Sequence, residues 1–151
     1  MTELKAQLQV DLTTAMKQRD ELTTATLRML LTAVSTEEVS GTSARELTDD
    51  EVLKLVNREA KKRREAAEAF GSAGRAEQAS RELAEETVLN RYLPSQLDDA
   101  ELSALVDEAV RESGATEARQ LGLVMKLLTP KVAGRADGKR ASQEVRRQLG
   151  S

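Results

Sequence analysis

Residues 48–74 read TDDEVLKLVNREAKKRREAAEAFGSAG, and the reading of that run decides the fold. Thr48 followed three residues later by Glu51 forms a capping box, in which hydroxyl and carboxylate satisfy each other's backbone N–H groups and start a helix. Val52, Val56, Ala60, Ala67 and Phe70 then fall on one face, giving a helix of about 34 Å at 1.5 Å per residue. Gly71-Ser72-Ala73-Gly74 permits a reversal. Ala76, Ala79, Leu83, Val88 and Leu89 carry a second long helix up to Tyr92-Leu93-Pro94, where the proline disfavours helical geometry in the residue before it. Two long helices joined by so short a turn lie antiparallel.

Toward the N-terminus, Leu4, Leu8, Leu12, Ala15 and Met16 recur at helical spacing, and Leu27, Leu30, Leu31 and Val34 resume the pattern after Asp20 with an offset. The offset predicts two helices, or one kinked helix, with a break near residues 18–22. Ser35 to Leu47, rich in Ser, Thr and Glu with Gly41 inside it, reads as a connection. Toward the C-terminus, Asp98 and Glu101 form another helix start, and Leu102, Leu105, Val106, Ala109 and Val110 make an apolar stripe that stops at Gly114. Thr116 is expected to open the next helix, with Leu121, Val124, Met125 and Leu128 inward and Pro130 after its apolar run. A last helix places Ala141, Val145 and Leu149 on one side, with a start between Asp137 and Ser142. Met29 and Met125 sit on leucine-rich faces and read as core.

No segment alternates with period two, so no strand is expected. The predicted fold is all-α: an N-terminal lobe of long antiparallel helices over residues 1–93 and a small three-helix lobe over residues 96–151. Composition agrees, since Phe70 and Tyr92 are the only aromatic residues. A core made of Leu, Val, Ala and Met favours helix over sheet.

The same composition narrows the chemistry. Without Cys there are no disulfides, thiolate metal sites or cysteine nucleophiles. Without His the commonest general base and metal ligand is missing. Charges every few residues at the N-terminus, and no run near the roughly 18 apolar residues of a membrane span, predict a cytoplasmic protein without a membrane partner. The net charge is only −3, but its distribution is uneven. From Lys126 to Arg147 seven basic residues face two acidic ones, whereas from Asp98 to Glu117 seven acidic residues face one basic. Adjoining segments of opposite sign predict a polarised surface.

Three strings are more specific than periodicity: Arg63-Arg64-Glu65 leading to Phe70 and Ala73-Gly74-Arg75; Tyr92-Leu93-Pro94-Ser95-Gln96-Leu97; and Gly122-Leu123-Val124-Met125 through Pro130-Lys131 to Gly134-Arg135-Ala136-Asp137-Gly138-Lys139. In this order they resemble the GatB/YqeY family, stand-alone proteins similar to the C-terminal part of the GatB component of the glutamine-dependent aminoacyl-tRNA amidotransferase. The resemblance implies an all-helical fold and a tRNA-recognition appendage, with the kinase and glutaminase chemistry of the amidotransferase lying elsewhere. It also associates the chain with carbon-nitrogen ligase activity that uses glutamine as amide donor, although neither a glutaminase Ser-Lys constellation nor an ATP site can be read here. The form Gly-Lys-Val-Met-Gly, common in the family, is altered to Gly122-Leu-Val-Met-Lys126.

The expected site is RNA-binding. Lys131, Arg135, Lys139, Arg140, Arg146 and Arg147 would grip an RNA backbone, by the resemblance that of tRNA, around the loop of Gly134, Asp137 and Gly138. The alternative for that loop is purely structural, with Asp137 capping the last helix and Gly138 supplying a positive φ. Arg58, Lys61 and Lys62 form a possible second basic stripe, set against a solvated face paired with Glu59, Glu65 and Glu68. Glu82, Glu85 and Glu86 read as a solvated charge run rather than a metal site. Tyr92 reads as a hinge anchor, with base stacking as its alternative. No catalytic residue, metal or cofactor is expected. A protein partner in tRNA aminoacylation or amidation, met through the long hairpin, is the other class of function.

Overall fold

A computed structural model describes residues 2–132 and 134–150. The described residues form α1 (Glu3–Lys17), α2 (Glu21–Glu38), α3 (Asp49–Ser72), α4 (Ala76–Asn90), α5 (Asp99–Ser113), a 3-10 turn (Ala118–Gln120), α6 (Leu121–Val132) and α7 (Gly138–Leu149), with no strand among them. The chain divides into two compact units, Met1–Leu93 and Pro94–Ser151.

In the first unit, the break near residue 18 proves to be a turn between two helices. Arg19 turns left-handed at φ 57°, and the Asp20 carboxylate accepts from Thr23 N and Oγ1 to cap α2. The core joins Leu8, Leu27, Leu30, Val34, Leu47, Val52, Val56 and Leu89, all 2% exposed or less. α2 runs four residues into the expected connection, because Glu38 is anchored through both carboxylate oxygens: it accepts from Lys5 Nζ at 2.7 Å and from Leu47 N at 3.2 Å. α3 starts at the capping box, where Glu51 N donates to Thr48 Oγ1 and Thr48 N donates to Glu51 Oε1. It continues through Gly71 and Ser72, so the turn into α4 is Ala73-Gly74-Arg75.

One expectation fails in α4. Leu83 is 48% exposed, and Glu82, Glu85 and Glu86 face α3 in its place. Arg63 meets Glu85 at 3.1 Å and Glu82 at 3.7 Å, and Arg64 meets Glu86 at 2.7 Å. Glu59, buried at 5%, pairs with Lys62 and Arg63. These carboxylates are therefore an ion-paired seam rather than a solvated run. A buried carboxylate is tolerable only where cations lie beside it.

In the second unit, Leu97, Leu102, Val106, Val124, Leu128, Val132, Ala141 and Val145 form the core. Asp98 caps α5 by accepting from Glu101 N at 2.7 Å, and Gly114 closes it at φ +72°. Thr116 lies ahead of the next helix instead of opening it: the Gln120 side chain accepts from Thr116 N and Glu117 N, so the 3-10 turn comes first. α6 passes through Pro130 to Val132, because Val132 extends the buried series of Val124 and Leu128 by one more turn. Pro130, two residues from the end of α6, has no N–H for the Lys126 carbonyl four residues back.

Candidate nucleic-acid interface

Asp137 caps α7, accepting from Arg140 N at 2.7 Å. The positive φ belongs to Gly134, at +80°, and not to Gly138. A phosphate at this helix end would meet a carboxylate already holding an N–H group, so α7 offers no open anion seat there.

The loop ahead of α7 instead grips the segment 95–97. Leu97 N donates to Arg135 O at 2.8 Å, Gln96 Nε2 to Gly134 O at 3.2 Å, and Arg135 Nε to Ser95 O at 2.9 Å. Arg140 donates to Leu97 O at 2.6 Å and to Asp99 at 2.8 Å. Two of the strings singled out in the sequence thus meet in space, the second of them supplying Arg135, which with Arg140 just beyond it binds the first one's backbone.

The remaining C-terminal cations divide. Lys131 meets Glu108 at 2.9 Å and Glu112 at 3.2 Å, which raises its pKa and lowers that of Glu108. Arg135 lies 3.5 Å from Glu101. Arg147 pairs with Glu144, whose carboxyl falls to about 2 mainly through that bond. Arg146 is exposed and engaged in an interaction of its own. Lys126 and Lys139 are exposed and form no ion pair among the described residues. The basic and acidic segments are therefore stitched to one another at Lys131, Arg135 and Arg140, and the expectation of two oppositely charged surfaces is corrected to this extent.

The second stripe stands differently. Lys54, Arg58, Lys61 and Lys62 are all exposed on α3, at positions i, i+4, i+7 and i+8. That spacing strings them along one side of the helix over about 12 Å. Of the four, only Lys62 forms an ion pair among the described residues, with Glu59 at 3.3 Å. Among the described residues, Lys54, Arg58, Lys61 and Lys62 form none of the pairing with Glu65 and Glu68 anticipated from spacing. Lys54 and Arg58 also border a cavity of about 280 Å³ with Glu37, Glu51 and Leu55.

A larger groove of about 460 Å³, missed in the sequence, is bordered by α1, the start of α2 and Arg91-Tyr92. Tyr92 Oη donates to Asp11 Oδ2 at 2.6 Å, and burial together with that carboxylate pushes the phenol well above its usual range. The ring packs against the first unit's core, which gives it an anchoring role inside that unit. The groove's signal in the sequence is a polar series, Gln7, Asp11 and Thr14 at i, i+4 and i+7 of α1, continued by Gln18 just past its end.

Among known proteins, the family model described as Yqey-like protein matches residues 5–149. No curated protein matches the chain.

Proposed function

The chain belongs to the YqeY-like family, and on that footing we propose that it is an accessory module that binds the backbone of structured RNA, tRNA foremost. The observation that carries this reading is the α3 stripe of Lys54, Arg58, Lys61 and Lys62, exposed and with three of its four cations outside any ion pair among the described residues. Phosphates along an RNA backbone attract such a row without base contacts, and each cation engaged releases counterions. Lys126 and Lys139 add exposed positive charge on the second unit, while Lys131, Arg135 and Arg140 serve its internal bonding. The similarity to the tail of the amidotransferase's GatB component supports tRNA as the RNA.

Filter binding of tRNA at several salt concentrations tests it. The Arg58→Glu, Lys61→Glu double variant is expected to lose at least about tenfold in affinity at low salt, and its salt slope to fall by about one for each contact removed. Arg111→Glu, on the acidic segment, is expected to bind as the native chain does. Equal affinity of the native chain and the α3 variant rejects the reading.

A further inference from the structure

The groove at Tyr92 contains none of the α3 stripe and has a different chemistry. Two carboxylates and one guanidinium border it, together with the amides of Gln7 and Gln18 and the Thr14 hydroxyl. Asp20 is committed to capping α2. Asp11 accepts from Gln7 Nε2 at 2.7 Å and from Tyr92 Oη at 2.6 Å, one bond on each oxygen. A carboxylate has about four acceptor positions, so each oxygen keeps capacity for one more donor. Arg91 is exposed, and its side chain makes no hydrogen bond or ion pair among the described residues, its backbone N–H alone donating to Val88 O, which leaves the five guanidinium donors uncommitted.

These charges select against simple ligands. A bare anion meets Asp11 and Asp20, and a polyamine meets Arg91. An apolar molecule would strip water from amides and carboxylates without replacing their bonds. What suits the groove is a dipolar ligand, anionic at one end and rich in N–H donors at the other. Its volume falls within the range of small-molecule pockets, and Tyr92 at its border offers an aromatic ring to a flat ligand.

We infer that this groove binds a guanine nucleotide, its phosphate on Arg91, its ring against Tyr92, and its N1–H and N2–H edge on the carboxylate of Asp11. Adenine lacks that paired-donor edge and fits less well. The site is independent of backbone binding through α3, and it is tested with free nucleotide.

Isothermal titration of the full chain with 5′-GMP, 5′-AMP and inorganic phosphate decides it. GMP is expected to saturate one site at millimolar concentration or below, with AMP weaker and phosphate giving no saturable heat. Arg91→Ala and Asp11→Asn are each expected to weaken GMP about tenfold. The Arg91 side chain makes no hydrogen bond or ion pair among the described residues, and Arg91→Ala keeps the backbone bond to Val88, so this variant is expected to fold and carries the test even where Asp11→Asn disturbs packing. The Arg58→Glu, Lys61→Glu variant is expected to bind GMP unchanged, which separates this site from the α3 stripe. Absence of saturable GMP binding, GMP affinity unaltered by Arg91→Ala, or AMP or phosphate binding as tightly as GMP overturns the proposal.

Discussion

Tyr92 is the only tyrosine in a chain without tryptophan, so its phenol can be followed alone by absorbance near 295 nm. Burial and the bond to Asp11 hold its proton well above the ordinary value of 10.0. With the folded pKa above the unfolded one, the bond's contribution is fully present below pH 10 and is lost as pH rises through the folded value. An alkaline titration is therefore expected to show no ionisation at pH 10 in the native chain and an ordinary midpoint in urea; equal midpoints would mean that the phenol is not engaged. Tyr92→Phe keeps the ring and removes the bond to a charged acceptor, so a loss of about 1.5 kcal/mol in urea unfolding is expected. The sequence marked Tyr92 as an anchor because it precedes Leu93-Pro94. The partner, Asp11, lies 81 residues away, and no local pattern encodes that pairing.

At the scale of elements, the start of α3 was legible because a capping box is a local device, complete within four residues. Thr48→Ala is expected to cost about 1 kcal/mol of stability, read by thermal unfolding. The inner face of α4 was not legible. Apolar periodicity placed Leu83 inward, yet the rotation of α4 is set by cations on a different helix, with Glu82, Glu85 and Glu86 turned to Arg63 and Arg64. Arg63 is the centre of that seam, 18% exposed and shared by Glu59, Glu82 and Glu85. Removing it leaves the buried Glu59 with only the more exposed Lys62, so Arg63→Ala is expected to cost about 3 kcal/mol. Arg64 is 42% exposed, where water screens the charge, and Arg64→Ala is expected to stay within about 1 kcal/mol. Urea unfolding followed by circular dichroism compares them, and equal losses would remove Arg63 from its central role.

For the molecule as a whole, the charge pattern was legible in sign but not in destination. The sequence shows a basic run after an acidic one; whether the runs face solvent or each other depends on the packing of α6 and α7 on α5, and Lys131, Arg135 and Arg140 turn to Glu108, Glu112, Glu101 and Asp99. This pairing makes stability depend on acid. Hydrogen bonds lower the carboxyl pKa of Asp20, Glu38, Glu51, Asp98, Glu108 and Glu144, the last to about 2. Each folded value lies below the unfolded one, so the contribution is present above the unfolded value and disappears as pH falls through the folded value. The helical signal is expected to hold from neutrality to about pH 5 and to decline between the ordinary 4.5 of a glutamate and about 2. Lys131→Met isolates one link. It removes the cation that lowers Glu108 and leaves Glu108 beside Glu112, so at pH 7 the variant should melt below the native chain. At pH 3, with glutamates of ordinary pKa protonated, most of that difference should vanish. A gap of the same size at both pH values would mean that Lys131 stabilises α5 and α6 through the packing of its aliphatic stem rather than through its charge.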